Sequence, residues 1–289
     1  MSIELQNVSY TYMPKTAFER KALSHVTLTF EEGTLMAIAG HTGSGKSTLV
    51  QHLNGILHPT EGTVRVDGQD LAAKGKAAVI ARQRVGMVFQ YPEHQLFEET
   101  VMADVAFGPK NMGLPDDEIE ARVRRAMELV RLDYDTYKDR SPFQLSGGQK
   151  RRAAIAGVLA MEPKYLVLDE PTAGLDPHGR DDLLQRIVRL HREKKTTVIF
   201  VSHNMDDIAR LADRVVFMHE GEILFDGLPK EAFREEEAIQ KAGLDTPGTV
   251  TLLKKLKEKG LSVTADAFTI KDAVQCIEKA FWERRKKTC

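Results

Sequence analysis

Three short runs of this chain carry side chains and spacings suited to phosphate chemistry. The first is Gly40-His41-Thr42-Gly43-Ser44-Gly45-Lys46-Ser47-Thr48, which fits G-x-x-x-x-G-K-[ST]. Glycines let the backbone turn its N–H groups toward phosphate oxygens, and the start of a following helix adds a favourable field. Lys46 then reaches the β- and γ-phosphates as a point charge, and the Ser47 hydroxyl ligates Mg2+. His41 reads as a variable loop position rather than a catalytic group. The second run, Tyr165-Leu-Val-Leu168-Asp169-Glu170, is an apolar strand ending in two acids. Asp169 at a strand end beside the phosphate loop would orient Mg2+ or its waters. Glu170 would polarise the attacking water as general base. The third run is Leu145-Ser146-Gly147-Gly148-Gln149. A serine and two glycines at a helix start make a second phosphate-recognition device. A single active site does not need two. The pair makes sense if each chain offers its phosphate loop to one ATP and its serine-glycine device to another chain's ATP.

These runs need elements to hold them. Alternating apolar residues (Ile3, Leu5, Val8, then Val26, Leu28, Phe30) predict antiparallel strands with one wet face. Leu35–Ala39 is continuously apolar, as expected of a strand buried on both faces, and the helix predicted from Lys46 follows the glycine loop. Thr63–Val66 followed by Asp67-Gly68 reads as a strand and tight turn. From Asp116, apolar residues Ile119, Val123, Ala126, Met127 and Val130 form a one-sided helical stripe. Ala153–Met161 reads as a buried helix, and Tyr165–Leu168 and Val198–Val201 as buried strands. Strands alternating with helices predict a mainly parallel sheet covered on both faces. The stretch from about 92 to 160 reads as a helical lobe. After about Gly227 the character changes, and Thr251–Lys259 and Thr269–Lys287 read as amphipathic helices. The second carries Ile270, Ala273, Val274, Ile277 and Phe281 on one stripe, with Thr269 and Asp272 placed as a capping box.

Bulk properties narrow the function classes. The chain has 289 residues, 42% of them apolar, and a net charge of −1. That fits one large domain with an appendage, and the absence of a basic excess disfavours nucleic acid as a partner. Two cysteines, Cys276 and Cys289, give neither a disulfide framework nor zinc spacing. Cys289 is the last residue, so it makes no prenylation box. Met1–Glu4 lacks the regions of a signal peptide, and the longest apolar run is about half of what a bilayer crossing needs. A membrane role is therefore expected through docking.

On the three runs together, the sequence resembles the ABC ATPases over roughly residues 3–227. Other family positions follow in order. Tyr12 lies where the family's adenine-stacking aromatic lies, with Tyr10 as the alternative. Gln90, after Val85–Phe89, matches the glutamine that senses Mg2+ and contacts the membrane partner. Ala173-Gly-Leu-Asp176 matches the loop that crosses the dimer interface, and His203 the switch histidine that contacts the γ-phosphate. Singly, each residue has a plainer structural reading; five ordered motifs at family spacing do not. The resemblance implies two ATPase domains closing head to tail around two ATPs and moving helices of a membrane protein. It implies an α/β fold with a mainly parallel core sheet, an antiparallel β subdomain, a helical subdomain and a small helical C-terminal extension. The boundaries expected are 1–229 for the ATPase domain and 230–289 for the extension.

Two features narrow the branch. Tyr91-Pro-Glu-His-Gln95-Leu-Phe97-Glu-Glu-Thr-Val101, then Asp104–Pro109, resembles the ATPases of energy-coupling-factor transporters, importers of vitamins and of cobalt or nickel. The Tyr91–Gln95 form looks like the second of two paired ATPases. The tail from about 230 resembles that group's dimerisation extension, although its stripe would equally suit packing on its own domain. The resemblance implies a second, related ATPase, a transmembrane coupling protein and a small membrane substrate-binding protein, with this chain peripheral on the cytoplasmic face. The surface around Gln90, Leu96 and Phe97 is then the candidate for receiving coupling helices. A soluble ATPase acting on DNA or ribosomes would call for a coiled-coil insertion, a second ATPase copy or a basic lobe, and none is visible. A non-hydrolysing nucleotide binder would lack Glu170 or His203.

Overall fold

The computed structural model describes residues 1–264 and 267–288, with side chains through residue 282. Cys289 lies outside the described residues. In chain order the elements begin with β1 (Ser2–Tyr12), β2 (Arg20–Glu31), β3 (Leu35–Ala39), α1 (Lys46–Leu53), β4 (Glu61–Val66), β5 (Gln69–Asp70), α2 (Lys76–Gln83) and β6 (Val85–Val88). A short 3-10 turn, Pro92–Gln95, precedes α3 (Val101–Asn111), α4 (Asp116–Leu129), α5 (Tyr134–Tyr137) and α6 (Gly147–Ala160). Then come β7 (Tyr165–Asp169), α7 (Pro177–Lys194), β8 (Thr197–Val201), α8 (Met205–Leu211), β9 (Arg214–His219) and β10 (Glu222–Gly227). Helices α9 (Pro229–Ala232), α10 (Glu236–Lys241), α11 (Gly248–Glu258) and α12 (Ile270–Thr288) follow. The chain divides into two compact units, Met1–Thr34 with Ser47–Val201 and Leu35–Lys46 with Ser202–Cys289.

The first unit holds an antiparallel sheet in the order β2-β1-β4-β5. The alternation read from sequence is its pairing register: Ile3 faces Phe30, Leu5 faces Leu28 and Val8 faces Val26. All six are buried on one face. The β4–β5 turn has Asp67 at φ 49° and Gly68 at φ 80°, the left-handed pair that a two-residue hairpin turn requires. Strands β6, β7 and β8 run parallel, Val85 beside Tyr165 and Tyr165 beside Thr197, and every residue in them is buried. Each large apolar side chain among them contributes about 1.5–3 kcal/mol on leaving water, which is why Tyr165–Leu168 and Val198–Val201 read as unbroken apolar runs. Helix α4 buries Ile119, Val123, Ala126 and Met127, the predicted stripe. On α6, small residues permit close approach: a Cβ at Gly157 would stand 3.8 Å from the Asp104 carbonyl oxygen in α3. Under the antiparallel sheet, Asp67 accepts hydrogen bonds from Tyr165 (2.6 Å), Lys164 (2.9 Å) and Arg84 (2.6 Å). Burial alone would raise its carboxyl pKa, but these donors outweigh burial and hold it low, while burial and Asp67 push the Tyr165 phenol up.

In the second unit β3 runs parallel to β9, and β9 pairs antiparallel with β10. Their turn places Glu220 at φ 47° and Gly221 at φ 81°. Helices α11 and α12 build a small core from Leu253, Leu261, Val263, Ala267, Ala273 and Ala280, with Cys276 and Ile277 partly inside. The single stripe read on α12 thus splits. Ala273 turns inward, joined by Ala280 from outside that stripe, and Ile270, Val274 and Phe281 stay exposed. Thr269 caps the helix by accepting from the Asp272 N–H at 3.2 Å. Among the described residues, no helix is long and apolar enough to cross a membrane.

Candidate functional site

The glycine loop leaves β3 in a conformation that only glycine can hold at its start. Gly40 has φ 155°, and a Cβ there would lie 2.3 Å from the Met218 carbonyl oxygen of β9. Gly43 and Gly45 follow at φ 87° and 103°, where an L side chain is strained. Inside the loop the Ser44 N–H donates to the His41 carbonyl at 3.1 Å, and the Gly221 N–H of the β9–β10 turn donates to the Ser44 carbonyl at 2.9 Å. Lys46 is buried, and its ammonium donates to the carbonyls of Gly40 (2.7 Å) and His41 (2.9 Å). Thr42 and Gly43 are exposed at the loop's crest. His203 is exposed one residue before Asn204, whose side chain caps α8 by accepting from the Asp207 N–H at 2.9 Å.

The residues that continue the loop belong to the first unit. Ser47 is exposed in the first turn of α1. Thr48 is buried, its hydroxyl 3.1 Å from that of Tyr12. Tyr10 packs edge-on against Tyr12 (4.8 Å between ring centres) and against His52 (4.9 Å). Tyr12 is thereby fixed at its hydroxyl and its edge, while Tyr10 is wedged between two rings, and burial raises its phenol pKa. His52 donates to the Thr48 carbonyl at 2.7 Å, and burial lowers its pKa, which favours the neutral ring.

The two acids sit at the end of β7. Asp169 is buried. Glu170 takes φ 47° and donates its N–H to the Val201 carbonyl at 3.2 Å. A left-handed glutamate costs about 1–2 kcal/mol, and strain of this kind collects where function requires a particular aim. The Gln90 amide N–H donates to a Glu170 carboxylate oxygen at 3.1 Å. That contact joins two residues 80 positions apart, each named by a separate motif. Leu96 is buried and its neighbour Phe97 is exposed, packed edge-on to Phe107.

Ser146 starts α6 with a capping box: its N–H donates to the Gln149 side-chain oxygen at 2.9 Å, and its hydroxyl accepts from the Gln149 N–H at 3.4 Å. Gln149 also donates to the Tyr137 hydroxyl at 3.0 Å. Ser146, Gly147 and Gly148 are exposed, and nothing lies within 4 Å of a Cβ built on either glycine. Asp176 caps α7, accepting from the N–H groups of His178 and Gly179 at 3.0 Å each. The Gly179 N–H chiefly, with that of His178, holds its carboxyl below the usual range. One residue the motif reading passed over is Arg151 in α6. It is buried, donates to the Ala173 carbonyl and lies 3.7 Å from Glu93. It lies in the polar run Gln149-Lys150-Arg151-Arg152, where nothing in the sequence marks one of the cations as buried.

Ser47, Gln90 and Asp169 suit a magnesium ion, which takes oxygen ligands and is held largely by substrate phosphates and water. Among the described residues there is no group of three or more His, Cys, Asp or Glu that could hold a metal by itself. A site of one hydroxyl, one amide oxygen and one carboxylate beside a triphosphate needs no such group.

The chain matches the ABC transporter family over residues 23–173. The energy-coupling factor transporter ATP-binding protein EcfA2 of Clostridium perfringens is 53% identical over 277 residues, 96% of this chain and 97% of that protein. The protein of that name from Clostridium tetani is 51% identical over 97% of this chain and 98% of its own length. Among solved structures, cbiO1 of Clostridium perfringens, described as part of the ABC transporter complex cbiONQ, superposes with a TM-score of 0.72 at 39% identity, covering 89% of this chain and 98% of that one. The ATP-binding cassette MJ0796, in a dimeric post-hydrolysis state with ADP and Pi, gives a TM-score of 0.71 at 29% identity over 78% of this chain and 98% of its own. Parallel strands, an antiparallel sheet and helices are the α/β architecture expected, and the chain belongs to the ABC transporter ATPases, as an ATP-hydrolysing subunit of the energy-coupling factor type.

Proposed function

We propose that this chain hydrolyses Mg2+-ATP in a pair with a second, related ATPase and so drives uptake through separate membrane subunits. The observation that carries the pairing is the Ser146-Gly147-Gly148 start of α6. It is exposed and self-capped, and a Cβ built on either glycine would meet open space, as a surface kept for another molecule's phosphate would be. Thr42–Gly45 and Ser47–Thr48 would line the nucleotide's phosphates, Lys46 would neutralise them, and Tyr12 would stack on the adenine. Ser47, Gln90 and Asp169 would hold Mg2+, which when bound supplies charge compensation to the phosphates. Glu170, aimed by Gln90, would take the proton of the attacking water, and His203 would contact the γ-phosphate. Ser146, Gly147, Gly148 and Gln149 would serve the partner's ATP, and Asp176 would lie at the interface. Preorganised charge of this kind supplies most of the rate in phosphoryl transfer.

Residues 1–229 would form the ATPase domain, with the helical subdomain over about 92–160. The extension, 230–289, would add a dimer contact through the exposed face of α12, Ile270, Val274 and Phe281. The membrane partners would be a transmembrane coupling protein and a small substrate-binding protein, with the chain on the cytoplasmic face and a vitamin or transition-metal ion as cargo. Purification of the tagged chain from its native cell in mild detergent tests this. A second ATPase with two membrane proteins is the expected company. A conventional permease pair would discard the two-membrane-protein arrangement, and a ribosome or DNA would discard the transport role.

A further inference from the structure

The phosphate loop is gripped on two sides within its own unit, and His41 is the residue that both grips share. On one side is the β9–β10 turn. The Met218 carbonyl abuts Gly40, the Gly221 N–H holds the Ser44 carbonyl, and the rings of His219 and His41 meet at 3.1 Å between Nδ1 of the first and Nε2 of the second. His41 Nδ1 lies 2.8 Å from the Thr42 carbonyl. A carbonyl only accepts, so Nδ1 carries the hydrogen, and Nε2 of the neutral ring accepts from His219. On the other side is the turn after α10. The His41 N–H donates to the Ala242 carbonyl at 2.8 Å. Gly243, at φ 64°, comes so close that a Cβ would stand 3.1 Å from the His41 Cβ. The His41 carbonyl meanwhile receives both Lys46 and the Ser44 N–H. Five residues further on, the Gly248 N–H donates to Asp206 at 3.0 Å, in the first turn of α8 and three residues past His203. The segment 242–248 therefore touches both the phosphate loop and the helix that follows the switch histidine, just before α11 begins.

We propose that His41 is a positioning residue for nucleotide binding, and that the segment 242–248 is a strap that holds the phosphate loop in its phosphate-receiving form and registers its occupancy. This rests on reading Gly40–Thr48 as the nucleotide site. Binding energy spent in ordering the loop is then shared with the strap, and by linkage whatever tightens one tightens the other. The sequence offered no sign of this, because residues 41 and 242 are 201 positions apart and neither Ala242 nor Gly243 lies in a motif.

The test is ADP binding by calorimetry to the full-length chain. ADP occupies the loop without the γ-phosphate around which a pair would close. His41→Ala and Gly243→Val should each weaken ADP binding about five- to tenfold, the scale of one hydrogen bond with its packing. The double variant should be weaker than either single one, since His41→Ala removes the ring contact with His219 while Gly243→Val disturbs the close approach to the His41 Cβ, which alanine keeps. With ATP the effect should fall on KM more than on kcat. In the unaltered chain, ADP should slow amide hydrogen exchange across residues 242–248, and Gly243→Val, which disturbs the approach of that segment to His41, should abolish that slowing. Lys46→Ala is the control. If it loses ADP while the folded His41 and Gly243 variants keep native affinity, the strap proposal is overturned. If Lys46→Ala binds ADP normally, the nucleotide-site reading fails first. Should Gly243→Val unfold, the exchange measurement decides alone: no slowing at 242–248 overturns the proposal.

Discussion

The two glycine-rich runs proposed here to receive phosphate, Gly40–Thr48 and Ser146–Gly148, are built on opposite terms. Gly40 is a glycine because the protein's own backbone leaves no room: the Met218 carbonyl occupies the place of a Cβ. Gly147 and Gly148 face open space, and neither has a left-handed backbone. Among the described residues, nothing asks for glycine there. In the first device the constraint is internal, and in the second whatever requires glycine lies outside the molecule. A helix start that forgoes alanine's propensity at two consecutive positions gives up about 0.5–1 kcal/mol at each. On the reading proposed here, that stability is spent on letting a second chain's phosphate approach the backbone.

The largest expected effect tests the chemistry common to both devices. Glu170→Gln should slow single-turnover hydrolysis about a thousandfold, within the span of general-base catalysis, while leaving ATP bound and the pair closed. Normal turnover would remove Glu170 from its role. Gly40→Ala, next in size, should cost about 2–3 kcal/mol of stability and abolish nucleotide binding, measured by thermal unfolding and calorimetry on the single chain. Gly148→Ala should do the opposite to the chain itself. It should leave ADP affinity unchanged and raise stability by up to about 1 kcal/mol. Only hydrolysis by the assembled pair should fall, on the order of tenfold. A Gly148→Ala chain that loses ADP by itself would collapse the contrast.

Smaller effects sharpen it. Ser146→Ala removes a helix cap and should cost about 1 kcal/mol, read as a lower unfolding midpoint even without nucleotide. Asp176 has a depressed pKa, so its capping contribution to α7 is full above the ordinary carboxylate value of about 3.9 and is lost as pH falls through the lower native one. Asp176→Asn should keep the cap and flatten that acid limb, followed by thermal unfolding between about pH 5 and pH 2.

What the sequence made legible follows the same division. Residues bound to a fixed local chemistry were readable. The glycines and lysine of the loop fall between a strand and a helix, the two acids fall at the end of β7, and Ser146 with its glycines stands at a helix start, each as read, because local backbone geometry dictates residue type. That β1 and β2 are antiparallel strands with one buried set of side chains was equally readable from their alternation, but the register shift between Leu5 and Val8 was not. Contacts between distant segments were not. Period alone could not say that α12 would turn Ala273 and Ala280 inward and leave Phe281 out, because Ala273 and Phe281 lie on one stripe. Nor could it distinguish buried Leu96 from exposed Phe97. The choice between Tyr10 and Tyr12 stayed open in sequence. The hydroxyl of Tyr12 meets Thr48 in α1, immediately after the loop, whereas Tyr10 is wedged against His52.

If coupling helices dock around Gln90, Leu96 and Phe97, the hydrogen bond from Gln90 to Glu170 would make the turn Pro92–Gln95 a throttle as well as a transmission. Gln90 stands two residues before that turn and steers the carboxylate that, on the proposed roles, activates water. On that reading, a load applied to the turn from the membrane side would be felt at the fuel valve. Such a machine meters its consumption by aim rather than by appetite: an idling complex and a working one would hold ATP equally well and differ in how often the glutamate points the right way.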